Sequence, residues 1–289
     1  MYTIENDSLR VTIKSKGAEL DSIYNKQTGL EYMWNADAAF WAKKSPVLFP
    51  IVGELKNQTY YYENNAYSLS RHGFAREMEF VVTNKTSDSV TLSLSTNEDT
   101  LTKFPFNFVF SLVYKVTDNR LSVMYVIKNT GNKQLYFSVG GHPAFKVPVT
   151  SDTTYSDYYL KFDQNETTGR WPISKDGLIE KSPTPLLDNS DKIKLSKELF
   201  YKDAIVLKHL QSGKISLLNE KNRNGLEFDF HEFPFLGIWA AKNADFVCIE
   251  PWCGIADSVD SDQQLVHKEG INRLDPDTDF ERTWSVKVF

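Results

Sequence analysis

Apolar and polar residues alternate with a period of two along most of the chain, and helical periodicity is scarce. Leu9, Val11 and Ile13 alternate with polar neighbours. Phe80 and Val82 are answered across Thr86-Ser87-Asp88 by Val90, Leu92 and Leu94, which is the pattern of a hairpin. A longer pair follows: Phe106, Phe108, Phe110, Leu112, Tyr114 and Val116 share one strand face, Asp118-Asn119 supplies a turn, and Leu121, Val123, Tyr125 and Ile127 return. Further strands are predicted over Gln134–Val139, Tyr158–Phe162, Ala204–Lys208, Lys214–Leu218, Leu226–Phe230, Leu236–Ala240, Phe246–Glu250 and Thr283–Val288. Only Glu98–Phe104 and Ser196–Tyr201 read as helical turns, and both are short. Asn165–Asp191, with Pro172, Pro183 and Pro185, reads as a long loop.

No Pro/Gly/Ser linker and no fixed-period repeat divides the chain. The prediction is therefore an all-β protein with very little helix: one domain over residues 1–289, built as a large antiparallel β-sandwich. A length of 289 residues suffices for such a core.

Charge narrows the partners. With 33 Lys and Arg against 38 Asp and Glu, and no basic run, the chain is a poor match to nucleic acid, whose binding draws on clustered cations. The N-terminal residues carry no basic-then-apolar leader pattern, and the longest apolar stretch, Phe233–Ala241, is about half the ~18 residues of a spanning helix. A cytoplasmic protein without membrane contact is expected. Two cysteines, Cys248 and Cys253, cannot build a disulfide framework and are expected as packed thiols. Aromatics reach 13%, more than alternation alone explains, and Tyr and Trp rings suit polyhydroxylated ligands.

Three segments break the alternation with reactive chemistry. In Ser70-Arg71-His72-Gly73-Phe74-Ala75-Arg76 an imidazole sits between two guanidinium groups, a donor-rich cluster for a sugar, carboxylate or phosphate; a surface turn is the alternative reading. In Ser138-Val139-Gly140-Gly141-His142-Pro143 a strand ends by presenting a histidine that Pro143 holds out of helical dihedrals. With an ordinary pKa near ~6.5, such a residue is a candidate general acid; a turn histidine satisfied by backbone is the alternative reading. In Phe246-Val247-Cys248-Ile249-Glu250-Pro251-Trp252, four apolar residues lead into Glu250, whose partial burial would raise its pKa and make it a base at neutral pH; a strand-end Glu facing solvent is the alternative reading. Asp203 is a weaker candidate. No metal-ligand spacing, dinucleotide or phosphate loop, or G-x-S-x-G elbow is present, so no metal or cofactor is expected.

The chain resembles the aldose 1-epimerases, the galactose mutarotase-like proteins, and in particular a divergent galactose mutarotase-related branch. The resemblance spans essentially the whole chain and rests on Leu48-Phe49-Pro50-Ile51-Val52-Gly53, His72-Gly73-Phe74-Ala75-Arg76, Gly141-His142-Pro143-Ala144-Phe145, Gly237-Ile238-Trp239 and Cys248-Ile249-Glu250-Pro251-Trp252. It implies a large β-sandwich with a sugar in an open cleft, Glu250 as base and His142 as acid. His72, Arg76 and Asp203 would bind the sugar and Trp239 would pack near it; Arg71 is added by proximity. Mutarotation needs one acid and one base and no cofactor. Phe74, Phe145, Trp239 and Trp252 are the rings expected near the sugar, and a homodimer is one expected assembly. The chain departs from the galactose mutarotases proper at Gly53-Glu54-Leu55-Lys56, where those enzymes carry arginines. A hexose-6-phosphate mutarotase, using Lys56, Arg71 and Arg76, is the alternative substrate reading. A non-catalytic sugar binder and a glycoside hydrolase using Asp203 with Glu250 are the alternative classes.

Overall fold

The computed structural model describes residues 1–289. Strands hold 49% of the residues and helix 8%, which makes the protein all-β. Nine antiparallel strands form the larger sheet in the order Thr184–Lys194, Tyr158–Arg170, Lys214–Asn219, Leu226–Asp229, Asp279–Val288, Arg120–Asn129, Phe108–Thr117, Ser89–Ser95 and Val81–Lys85. The second sheet has six strands: Ile205–Lys208, Phe235–Trp239, Phe246–Cys253, Val139–Gly141 and Val47–Leu48, with Ala144–Lys146 also pairing to Phe246–Cys253. A four-stranded sheet from residues 2–31 and two two-stranded ribbons complete the fold.

The two large sheets face each other through aromatic side chains. Phe145 meets Phe228 at 5.9 Å and Phe49 meets Phe110 at 4.7 Å. Along Arg120–Asn129 buried and partly exposed positions alternate strictly, whereas every residue of Phe246–Cys253 is buried. The second sheet is thus covered on both faces: one meets the core, and the other carries the cavity described below. One apolar core of 70 buried residues runs from Ile4 to Val288. No helix is long and apolar enough to cross a membrane.

Three expectations need correction. Asn165–Asp191 is not simply a loop: Tyr158–Arg170 pairs with Thr184–Lys194 as a long edge hairpin, and only the residues between them are irregular. Register shifts between Lys161 and Gly169, and prolines tolerated at a sheet edge, hide the alternation there. Gln134–Val139 is two strands: Leu135–Phe137 pairs with Asn272–Leu274, and Val139–Gly141 joins the six-stranded sheet. Phe106 lies outside its strand, which begins at Phe108. The helical turns are found as an α-helix at Glu98–Lys103, capped by Asn97, and a 3-10 turn at Lys197–Phe200.

Candidate active site

Strand alternation decides which side chains leave the core. On Phe246–Cys253, Cys248, Glu250 and Trp252 share the face turned away from the larger sheet. Gly140 and Gly141 show the division on the neighbouring strand. A Cβ on Gly141 would lie 2.6 Å from the Tyr125 hydroxyl in the core, while one on Gly140 would lie 2.7 Å from Trp252 Cδ1 on the opposite face. The next residue, His142, is therefore delivered to the same face as Glu250. Gly237 completes the bed of Trp252, since a Cβ there would meet the indole at 2.4 Å.

A cavity of about 500 Å³ opens on this face, within the range of small-ligand sites (~300–1,000 Å³). His72, Arg71, Arg76, His142, Asp203, Trp239 and Glu250, all seven residues singled out from the sequence, line it. His142 Nε2 lies 3.4 Å from Glu250 Oε2 at the buried floor, where Glu250 is 2% exposed. Burial pushes the Glu250 carboxyl well above its usual range, and the Asp203 charge adds to the shift against the opposing pull of the Trp252 indole. The same burial pushes His142 down to about 3, with Arg76 acting in the same sense, so it does not keep the ordinary imidazole value expected from the sequence. Burial thus favours the uncharged form of each group, the protonated carboxyl and the neutral imidazole, side by side at the floor.

His72 has a fixed tautomer. Its backbone is left-handed, with φ 67°, and its N–H donates to the Gly53 carbonyl at 2.8 Å. Gly53 N–H in return donates to His72 Nδ1 at 3.0 Å, so the ring proton sits on Nε2 and faces a ligand as a donor. Burial holds this ring neutral, helped by His142, Arg76 and Arg71. Gly73, φ 72°, cannot carry a side chain, because a Cβ would sit 2.3 Å from the Phe49 carbonyl oxygen. Arg71 Nε donates to Glu54 Oε2 at 3.1 Å, and Arg76 Nη2 to the Arg71 carbonyl at 2.8 Å. Asp203 lies in a left-handed turn, φ 78°, with Oδ1 accepting from Ala204 N–H at 2.7 Å.

Five buried side-chain polar atoms in the protein lack a hydrogen-bond partner, and four belong to cavity residues: Glu54 Oε1, Arg76 Nε, His142 Nδ1 and Trp252 Nε1. Buried polar groups are ordinarily paired, so their concentration here marks a place built for a polar ligand.

The aromatic expectation divides. Trp239 and Trp252 line the cavity, but Phe145 lies in the core against Phe228, and Phe74 packs on Phe49, Phe104 and Phe108. Trp41 was not foreseen: it stacks on His142 with centroids 5.0 Å apart and meets Trp239 edge-on. Its carbonyl accepts from the Trp34 indole at 2.9 Å, which fixes the loop. Glu54, Gly177 and Ile179 were also missed as cavity residues. Lys56 does not line the cavity, and its Nζ donates to the Ser261 carbonyl at 3.0 Å. Cys248 and Cys253 are buried free thiols. The ligand-type atoms of Cys248, His142 and Glu250 lie within 4.8 Å of one another, and burial holds the Cys248 thiol well above its usual pKa, so a metal there would have to displace its proton.

Fold and site together define an all-β sandwich protein with a buried histidine–glutamate pair at the floor of a small-ligand cavity. More particularly, the chain belongs to the aldose 1-epimerase family, a family of isomerases, whose model matches residues 1–268. It is 31% identical to the LacX protein of Lactococcus lactis subsp. lactis over 294 aligned positions, covering 99% of this chain and 98% of that protein. It superposes on a galactose mutarotase related enzyme from Lactobacillus acidophilus with a TM-score of 0.94 and 38% identity, covering 100% of this chain and 97% of the other. A galactose mutarotase-like protein from Lactobacillus casei ATCC 334 gives a TM-score of 0.94 and 30% identity over the full length of both chains.

Proposed function

We propose that the protein is an aldose 1-epimerase that interconverts the α and β anomers of a hexose by general acid–base ring opening, without a metal or cofactor. The observation that carries this reading is the His142–Glu250 contact at 3.4 Å, at the floor of a cavity lined by unpaired donors and acceptors. Glu250 takes the proton of the anomeric hydroxyl, the C1–O5 bond breaks as C1=O forms, and O5 receives a proton from His142. Rotation about C1–C2 and the reverse transfer give the other anomer. The pair holds one proton before and after opening, so the two groups exchange roles and no external proton is needed.

Burial alone favours protonated Glu250 with neutral His142. Sugar hydroxyls donating to Glu250, and oxygens accepting from His142, would shift the proton to the charge-separated arrangement that starts the reaction. His72 Nε2–H and Arg76 would donate to ring or hydroxyl oxygens, Asp203 would accept from hydroxyls, and Trp239 and Trp41 would flank the acid.

Anomer exchange followed by polarimetry or NMR on freshly dissolved α-glucose and α-galactose should run well above the buffer rate. Rates equal to buffer for every sugar would overturn the proposal. Glu250→Gln and His142→Asn should each lower kcat by at least ~10²-fold, and near wild-type activity in either would remove that residue's role.

A further inference from the structure

Arg71 is the more solvent-open of the two guanidinium groups on the cavity, and its side chain is 44% exposed. It is held from two sides. Its Nε donates to Glu54 Oε2 at 3.1 Å, and on the other side Gly177, φ 80°, leaves it room: a Cβ there would lie 2.2 Å from Arg71 Nη2 and 3.1 Å from Glu54 Cβ. Glu54 is itself buried, with Oε1 unpaired.

The charges of the cavity then balance. The guanidinium groups of Arg71 and Arg76 are matched in number by the carboxyl groups of Glu54 and Asp203, and burial disfavours charge on His72, His142 and Glu250. Lys56 adds no third cation, because its amine is tied to Ser261. His142 and Glu250 lie at the buried floor and Arg71 stands at the open side, so a sugar seated with its anomeric carbon at the floor would turn its remote end toward the Glu54–Arg71 pair.

We propose that Glu54 is a specificity-determining residue: by neutralising Arg71 it fits the cavity to uncharged sugars and rejects sugars that carry a phosphate or carboxylate. A charged ligand would have to be desolvated beside a balanced set of fixed charges, with no free cation to meet it. The inference rests on the mutarotase reading for its rate assay and on binding alone for its charge argument.

The test compares glucose and galactose with their 6-phosphates and with glucuronate, reading kcat/KM by NMR anomer exchange and Kd by calorimetry at low ionic strength. The wild-type protein should favour the neutral sugars by at least about tenfold. Glu54→Gln should shrink that ratio at least about fivefold, through KM and Kd of the charged sugars, and salt on the order of 0.5 M should abolish the change. The double variant Glu54→Gln/Arg71→Gln restores the balance and should recover the discrimination, which a merely unfolded site would not do. A wild-type preference for the phosphates, or an unchanged ratio in a folded Glu54→Gln protein, would overturn the inference. Absence of exchange with every sugar would sink the mutarotase reading instead, and the calorimetric ratio would still decide the charge argument.

Discussion

Glu250 is retained at a cost to stability, and the sign of that cost follows from its proton. Burial raises its pKa well above the usual 4.5. Between 4.5 and the raised value the unfolded chain has released a proton that the folded protein still holds, so this group's contribution to stability falls as pH rises through that window. Glu250→Gln should therefore raise Tm at pH 8, by roughly 2 °C or more, and the gain should vanish near pH 4. Calorimetric scans of both proteins at the two pH values check this; a lower Tm for the variant at pH 8 would contradict it. His142 works in the opposite sense. Its pKa falls from 6.5 to about 3, so stability is lost as pH drops below 6.5. Both groups stand out in the sequence, His142 between two glycines and a proline and Glu250 at the end of a run of four apolar residues. Their altered proton affinities were only half legible: four apolar residues before Glu250 announce burial, but nothing near His142 announces Trp41, which reaches its ring from about a hundred residues earlier.

Strand pairing turns these residues into a site, and the Gly140-Gly141 pair shows how narrowly. Gly140 touches the cavity face and Gly141 the core face, so two chemically equal substitutions should fail differently. Gly140→Ala places a methyl 2.7 Å from Trp252 Cδ1 and 2.9 Å from the Pro251 carbonyl, and should raise KM severalfold by moving the indole. Gly141→Ala meets the Tyr125 hydroxyl, which accepts a 2.8 Å hydrogen bond from the buried Trp284 indole, and should cost about 1–3 kcal/mol by overpacking. Steady-state kinetics beside urea titrations separate the two effects; equal effects on both readouts would deny the division of faces. Long strands such as Phe108–Thr117 were legible because their core face is continuous. Val47–Leu48 and Leu30–Glu31, at two residues each, are too short to show a period, and the break at Ser138 hides between two strands of the same pattern.

At the scale of the molecule the cavity gathers residues from Trp41 to Ala256, and no local pattern says what holds so distant segments together. A buried ion pair does much of it. Lys268 Nζ donates to Asp257 Oδ1 at 2.6 Å with both side chains 3% exposed. Asp257 Oδ2 accepts from Lys56 N–H at 3.0 Å, its own N–H donates to the Glu54 carbonyl, and its carbonyl accepts from Ile179 N–H. One residue thus joins the Glu54 turn and the Ile179 loop, which form one wall of the site, to the Lys268 segment behind them. Such a pair stabilises little relative to apolar packing, yet breaking it leaves a charge buried alone. Asp257→Asn should cost about 3–5 kcal/mol in urea unfolding and should raise KM as the wall loosens, although the residue does not line the cavity. Asp257→Leu/Lys268→Met removes both charges and should recover much of the stability but not the side-chain acceptor for the Lys56 N–H, so KM should stay high. A double variant with wild-type KM would show that the ion pair stabilises the fold without shaping the site.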